Sequence, residues 1–426
     1  MTTRKITNSS QGIHGTISVP GDKSISHRAL MFGAIAHGET VIHGFLKSED
    51  CINTMKCLQQ LHVKIEEKDD VVIVYGKGFE GLEKPERTLY VGNSGTTIRL
   101  LLGILGTLPF ETVITGDDSI KKRPMDRVVK PLSKTGALFS ANKAPIVVSG
   151  TNTKGITYDS PIASAQVKSS ILLAALNSVG TTNVSEPKPS RDHTERMLSH
   201  FNVSYQKKEN MISLIGKQKL TGREINVPGD ISSAAFFIAA AIITPNSSLE
   251  IHNVGLNETR TGIIDILLKM GANITISNHS KMNGEEVGTI HAEYSPNLNS
   301  VEICGETIPR LIDEIPILAL VATQANGMTV IKDASELKVK ETNRITAVAD
   351  ELTKCGAKIE PTNDGMTIVG KSTLQHANVT SHGDHRIGMM LAIAGLIADG
   401  GMTIEDAEAV SVSYPHFFEE LNNIMA

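Results

Sequence analysis

Four cysteines, Cys51, Cys57, Cys304 and Cys355, are all that 426 residues hold, and none stands in C-x-x-C spacing. That density excludes a disulfide scaffold and points to a reducing, cytosolic setting, with each thiol a small buried hydrophobe. No long basic run exists, and a net charge of −5 excludes a general nucleic-acid or anionic-membrane binder while leaving room for a local basic cleft. The segment after Met1 lacks an apolar h-region, and the longest apolar run, Ala234 to Ile243, is half a membrane span. The histidines form no H-E-x-x-H or His-Cys set, no G-x-S-x-G elbow is present, and no G-x-G-x-x-G follows a strand. Chemistry in this chain is therefore expected to run without cofactor or metal.

What is present is an ordinary globular composition, 40% hydrophobic and 20% charged, in a chain long enough for two or three domains. The most informative stretch is Pro20-Gly21-Asp22-Lys23-Ser24-Ile25-Ser26-His27-Arg28, where a turn dipeptide delivers two cations to the start of an apolar helix. First-turn N–H groups and the macrodipole make such a start an anion site, and Ser24 or Ser26 is expected to cap it. An ordinary capped helix is the competing reading. The P-loop frame G-x-x-x-x-G-K is absent, which excludes a nucleotide site of that kind. Val227-Pro228-Gly229-Asp230 repeats Val19-Pro20-Gly21-Asp22 near the midpoint and again opens an apolar helix.

A leucine-rich helix end leading to Gly-Ala or a similar small turn also recurs, at Leu58, Leu132, Leu198, Leu267 and Leu352, with Phe418 starting a sixth copy. Upstream of each lies a more apolar helix with a polar entrance, at Lys23-Ser24, Ser94-Gly95, Ser164-Ala165, Asp230-Ile231, Asp313-Glu314 and Asp384-His385, followed by a short β-type run such as Thr40-Val41-Ile42. Six units of helix, strand, helix and strands, split three and three by the Pro-Gly-Asp echo, predict an α/β protein of two similar domains. Helix entrances on one side of each domain would converge on an anion site.

Several entrances carry chemistry in more than one reading. Gly92 to Arg99 places glycines around a helix start, as a capped turn or a close backbone approach to a ligand. Arg123, before Pro124, lies on a loop, as a solvated basic turn or as a fork for carboxylate or phosphate. Asp313-Glu314 either caps an apolar helix or supplies a base. Lys340 and Arg344, four apart, are expected on one helix face, with an ion-pair network through Glu341 as the plainer account. Arg386 and His385 at a helix N-terminus oppose the macrodipole, which is the strongest physical pointer to an anionic ligand.

Pro20 to Arg28, Gly92 to Thr97, Arg123 to Met125, Ser164 to Gln166, Asp313 to Pro316, Lys340 to Arg344 and Asp384 to Ile387, taken in this order over the whole chain, resemble the 5-enolpyruvylshikimate-3-phosphate synthase family. The resemblance implies two domains, each of three βαβαββ-type repeats, with the active site in the interdomain cleft. It places residues 21–228 in one domain and 1–20 plus 229–426 in the other, with crossings near 20–23 and 228–230. It implies transfer of the enolpyruvyl group of phosphoenolpyruvate to shikimate 3-phosphate, in the shikimate pathway of aromatic amino-acid biosynthesis, and a target of glyphosate. By the same resemblance Lys23, Ser24, Arg28, Ser164, Ala165, Gln166, Asp313 and Lys340 bind shikimate 3-phosphate, with Arg191 as a further phosphate contact. Lys23, Gly95, Arg123, Gln166, Arg344 and Arg386 bind phosphoenolpyruvate. Asp313 removes the hydroxyl proton, and Glu341 or Lys23 protonates the enolpyruvyl carbon.

Two departures from the family pattern stand out. Ala165 occupies a position where some members have a second serine, and no lysine stands in Val410 to Pro415 to assign as a C-terminal phosphoenolpyruvate contact. Gly95 in place of alanine leaves room beside phosphoenolpyruvate. The competing functions are the sister transferase acting on UDP-N-acetylglucosamine, disfavoured because no cysteine lies in Lys121 to Met125, and a non-catalytic anion-binding protein of the same fold. The chain is expected to be a cytoplasmic monomer acting on small molecules, with no nucleic-acid or membrane partner.

Overall fold

The computed structural model describes residues 2–150 and 152–425. The chain forms two compact units. An N-terminal unit comprises Gly21–Val227 with Met282–Glu285; a C-terminal unit comprises Met1–Pro20, Pro228–Lys281 and Glu286–Ala426. The tip of the hairpin formed by strands Asn273–Met282 and Glu285–Glu293 thus counts with the N-terminal unit, which sequence alone did not indicate.

Each unit is built from three copies of one motif. In the first, strand Glu224–Asn226 lies parallel to His37–His43, which pairs antiparallel with Val71–Lys77, which in turn pairs with Lys64–Lys68. Five four-stranded sheets share this order, and the sixth sheet, with Thr3–Ile6 antiparallel to Met402–Glu405 and Asn378–Thr380 parallel to it, has three strands. His14–Ser18 runs parallel to Ser248–Gly255. The first two strands of the chain therefore complete sheets of the C-terminal unit, and Glu224–Asn226 closes the first sheet of the N-terminal unit. Parallel neighbours need a crossover: between His37–His43 and Glu224–Asn226 it is the chain's excursion through the rest of the N-terminal unit, and between Leu89–Tyr90 and Glu111–Thr115 it is the helix Gly95–Leu105.

The recurring Gly-Ala signal has a backbone cause. Five of the second helices are followed by a residue with positive φ: His62 at 64°, Gly136 at 103°, Asn202 at 67°, Gly271 at 89° and Gly356 at 91°. This left-handed position favours glycine or asparagine and turns the chain into the next strand.

Lys23–Ile35, Gly95–Leu105 and Ala165–Asn177 form the centre of the N-terminal core, and Ile231–Ile243, Ile315–Gln324 and His385–Ile397 that of the C-terminal one. Their apolar residues run all round, as they must in helices enclosed on every side; every residue of Ile231–Ile243 is buried. The echoed Pro-Gly-Asp has the same local role twice. Asp22 accepts the N–H of Ile25 and Asp230 that of Ser232, both at 2.9 Å, so each aspartate caps the helix that follows. The cap of the first helix is Asp22, in place of the expected Ser24 or Ser26; Ser26 faces inward and accepts the N–H of Leu46.

Cys51, Cys57 and Cys355 are buried, and burial pushes their thiols up to about 12, which removes them as nucleophiles; Cys304 is only half-buried, against expectation. His27 is fully buried with Nδ1 2.7 Å from Thr54 Oγ1. Burial, with Lys23 and Arg28 beside it, holds its pKa well below 6.5. The unfolded chain takes up this proton near pH 6.5 while the folded chain does not, so the histidine's contribution is complete above that pH and is lost as pH falls below it. A His27→Gln chain should accordingly show a shallower fall of Tm between about pH 7 and pH 5 than the unmodified chain. Parallel slopes would show that His27 does not govern the acid limb.

Candidate functional site

The helix starts of the N-terminal unit gather the cations that the sequence singled out. Lys23 pairs with Asp50, which opens the helix Glu49–Gln60. Arg28 is buried one turn inside its helix, where Nε donates to Thr194 Oγ1 at 2.7 Å, Nη2 to Ser169 Oγ at 2.7 Å and Nη1 to the Ser24 carbonyl at 2.9 Å. Its three directions of donation tie the entrance of the first helix to Ala165–Asn177 and to His193–His200. Arg191 lies half-buried two residues before this last helix.

Ser94 caps Gly95–Leu105 by accepting the Thr97 N–H at 3.1 Å. Gly95 lies close against two guanidiniums: an added Cβ would stand 2.9 Å from Arg99 Nη1 and 3.2 Å from Arg123 Nη1 and would have to displace them. Arg123 is no solvated turn residue. It follows the short helix Asp118–Lys122 in extended conformation, is 9% exposed, and donates through Nη2 to Asn93 Oδ1 at 2.6 Å and Ser119 Oγ at 3.0 Å. Ser164 caps Ala165–Asn177, with Ala165 and Gln166 in its first turn. Gln166 is fixed at both ends of its amide, accepting from Arg99 Nη1 at 2.7 Å and donating to Thr96 Oγ1 at 3.0 Å. Arg99 was not among the candidate residues. Its signal was its place one turn after Gly95, on the same helix face.

In the C-terminal unit Arg344 organises a second cluster. Its side chain is 1% exposed and meets three carboxylates: Asp384 through Nε at 2.8 Å and Nη2 at 3.2 Å, Glu341 at 2.6 Å and Asp313 at 3.4 Å. Burial pulls the guanidinium's pKa down, but Asp384 and Glu341 outweigh it and hold the pKa above its usual value. Lys340 Nζ lies 3.4 Å from Asp313 and 3.3 Å from Glu336. The expected shared helix face of Lys340 and Arg344 does not exist. The helix begins at Arg344 with Asn343 as its N-cap, and Lys340 ends the preceding 3-10 turn Ser335–Val339, yet both cations still reach Asp313.

Glu314 is not a solvent-exposed cap. It is fully buried, accepts from Ser232 Oγ, and lies 3.5 Å from Arg386 Nη1. Ser232 Oγ also accepts from Arg260 Nη2 at 2.6 Å, and Arg260 reaches Asp230 at 3.0 Å. Arg386 therefore has an anion beside it, as the macrodipole argument required, but one supplied by the protein. Its own N–H is capped by Asp384 Oδ1 at 2.9 Å. Glu314 and Arg260 went unassigned from sequence because their partners lie far along the chain. Among the described residues no group of three His, Cys, Asp or Glu side chains could hold a metal ion, and no helix is long and apolar enough to cross a membrane.

Two units of three repeats, each with basic helix entrances, have the architecture of an enolpyruvyl transferase. The enolpyruvyl transferase NikO from Streptomyces tendae matches it with a TM-score of 0.81 over 99% of this chain and 96% of its own, at 15% identity, a likeness of fold alone. The family model of EPSP synthase (3-phosphoshikimate 1-carboxyvinyltransferase) matches residues 7–421. A 3-phosphoshikimate 1-carboxyvinyltransferase of Bacillus cereus is 56% identical over 428 residues, covering all of both chains. The structure of EPSP synthase from Acinetobacter baumannii, 44% identical, superposes with a TM-score of 0.89 over 99% of this chain and 98% of that one. The chain belongs to the EPSP synthase family.

Proposed function

We propose that this chain transfers the 1-carboxyvinyl group of phosphoenolpyruvate to the 5-hydroxyl of shikimate 3-phosphate, releasing phosphate, with Asp313, Glu341 and Lys23 as the proton-handling groups. The observation that carries the assignment of the base is Asp313, a carboxylate held within 3.4 Å of both Lys340 and Arg344 and still 15% exposed. Oriented in this way it is suited to accept the hydroxyl proton as oxygen attacks C2 of phosphoenolpyruvate. Proton delivery to C3 from Glu341 or Lys23 gives a tetrahedral adduct. Loss of a C3 proton with cleavage of the bond to the phosphate oxygen then yields the enol ether and phosphate.

In this reading Lys23, Ser24, Arg28, Ser164, Ala165, Gln166, Asp313, Lys340 and Arg191 bind shikimate 3-phosphate. Lys23, Gly95, Arg123, Gln166, Arg344 and Arg386 bind phosphoenolpyruvate. Forked guanidiniums suit groups whose charge moves from an enol phosphate to a leaving phosphate. The hydrogen bonds that fix Gln166 and Arg123 support the assignment, because side chains already oriented lose less freedom on binding. A cytosolic monomer belongs to the same reading, supported for the compartment by four unpaired cysteines.

The test is phosphate release by the purified protein given phosphoenolpyruvate with shikimate 3-phosphate, beside a parallel reaction with UDP-N-acetylglucosamine. Release with shikimate 3-phosphate alone is expected. Release with the sugar nucleotide alone would overturn the substrate assignment, and silence with both would favour a non-catalytic anion binder. Within the same assay Gly95→Ala should raise KM for phosphoenolpyruvate about tenfold, because the new methyl pushes on Arg99 and Arg123, while KM for shikimate 3-phosphate stays within about twofold. Equal effects on both would separate Gly95 from the phosphoenolpyruvate pocket.

A further inference from the structure

Lys168 stands one turn after Ser164 in the helix Ala165–Asn177, and its side chain is 5% exposed. An ammonium in such a place needs anions, and it has two. Nζ lies 2.8 Å from Glu195 Oε1 and 3.0 Å from Glu186 Oε2, and donates to the Ser190 carbonyl at 3.4 Å. Burial alone would lower the lysine's pKa, but Glu195 and Glu186 outweigh it and hold it raised, so the group stays charged through the neutral range.

What makes the triad more than a core ion pair is the other oxygen of Glu186. Oε1 accepts the N–H of Ser164 at 2.8 Å, and both carboxylate oxygens accept from Ser190 Oγ, at 2.8 and 2.7 Å. One carboxylate thus holds the entrance of the helix that carries Ser164, Ala165 and Gln166, and also pins the residue before Arg191. The segment from Glu186 to Asp192 has no helix or strand of its own, and Pro187 and Pro189 deny it two backbone donors. Beyond the Glu186 N–H, which donates to the Asn210 carbonyl at 3.2 Å, the segment is held largely by side-chain bonds. Glu195, on the far side of the ammonium, follows Thr194, the hydroxyl that receives Arg28 Nε at 2.7 Å. Lys168 joins three pieces of chain, each beside a residue read as a phosphate or hydroxyl contact. Apolar residues of similar volume fill such a position at less desolvation cost, so a buried triad here implies a demand on geometry more than on stability.

We propose that Lys168 is a positioning residue for shikimate 3-phosphate: by neutralising Glu186 and Glu195 it sets the Ser164 entrance and the Ser190-Arg191 segment in the geometry that receives this substrate. The inference rests on the reading of Ser164 and Arg191 as shikimate 3-phosphate contacts. Lys168 itself touches no substrate in this account.

The test combines calorimetric binding of shikimate 3-phosphate with steady-state kinetics and thermal melting, for the unmodified chain, Lys168→Met and Lys168→Arg. Lys168→Met should raise both Kd and KM for shikimate 3-phosphate about tenfold or more, while KM for phosphoenolpyruvate at saturating shikimate 3-phosphate stays within about twofold. Lys168→Arg keeps a cation between the two carboxylates and should recover most of the loss. Lower Tm in Lys168→Met with an unchanged Kd for shikimate 3-phosphate would mark a purely structural triad and overturn the inference. Equal rises in both KM values would also overturn it. Should the methionine variant not fold, Glu186→Gln reads the same link from its other end: it retains an acceptor for Ser164 but weakens the pairing, and an unchanged KM for shikimate 3-phosphate there would again overturn it. If the unmodified chain binds no shikimate 3-phosphate in the calorimeter, the functional reading fails first, and the inference with it.

Discussion

Asp313→Asn is expected to lower kcat by about 10²–10⁴-fold, the range for a positioned general base, while Tm moves little. The amide preserves shape and one acceptor, so Lys340 and Arg344 keep a polar neighbour on this side, and Arg344 retains Asp384 and Glu341. Loss of the carboxylate removes the proposed proton acceptor without leaving a buried charge alone. KM for either substrate should change far less than kcat, because the group is asked to act on a proton in flight more than to hold the ground state. If kcat survives and melting shifts instead, Asp313 is a structural partner of Arg344 and the base lies elsewhere.

Arg344→Met should produce the largest loss of stability among substitutions at these helix entrances. The guanidinium is 1% exposed and offsets Asp384, which is fully buried, together with Glu341 and Asp313. Removing one partner from a buried ion pair costs about 3–5 kcal/mol, since the stranded charge cannot be rehydrated. For a unit of this size that corresponds to a fall in Tm of roughly 6–20 °C. Arg344→Lys keeps the charge but not the fork that grips Asp384 through two nitrogens, and should fall between. Adding Asp384→Asn to Arg344→Met should recover part of the loss, because the double change removes the charge that the single one stranded. Differential scanning calorimetry of five chains, these three variants with the Asp384→Asn single variant and the unmodified chain, reads all the comparisons; additive losses in the double variant would refute the coupling.

Much of the architecture was legible because it is written in local, repeated chemistry. Leu-x-x-x-Gly-Ala at helix ends marks the left-handed turn that Gly136, Gly271 and Gly356 adopt, and the same turn uses His62 and Asn202 in two other copies. The Pro-Gly-Asp echo marks two aspartate caps. Between Lys340 and Arg344 two local signals compete. The four-residue spacing suggests one helix face, whereas Asn343 is a favoured N-cap residue, and the helix starts after it at Arg344 and leaves Lys340 outside. At Arg123 the loop was recognised, but nothing nearby in the chain announced that Asn93 would meet its guanidinium.

The site divides along the same line. The residue types and their order in seven motifs, several of them placing cations or carboxylates at helix starts, sufficed to identify the family. Periodicity, caps and turn chemistry sufficed for six units in two halves, because each is settled within a few residues of backbone. Only the tertiary structure decided which charges neutralise which. Lys23 goes to Asp50, Arg386 to Glu314, Lys168 to Glu186 and Glu195, and Arg99 reaches an amide 67 residues away at Gln166. These pairings are set by distances of a few ångströms between helices remote in sequence, and a Coulomb or hydrogen-bonding partner at that range leaves no mark on the residues immediately around it.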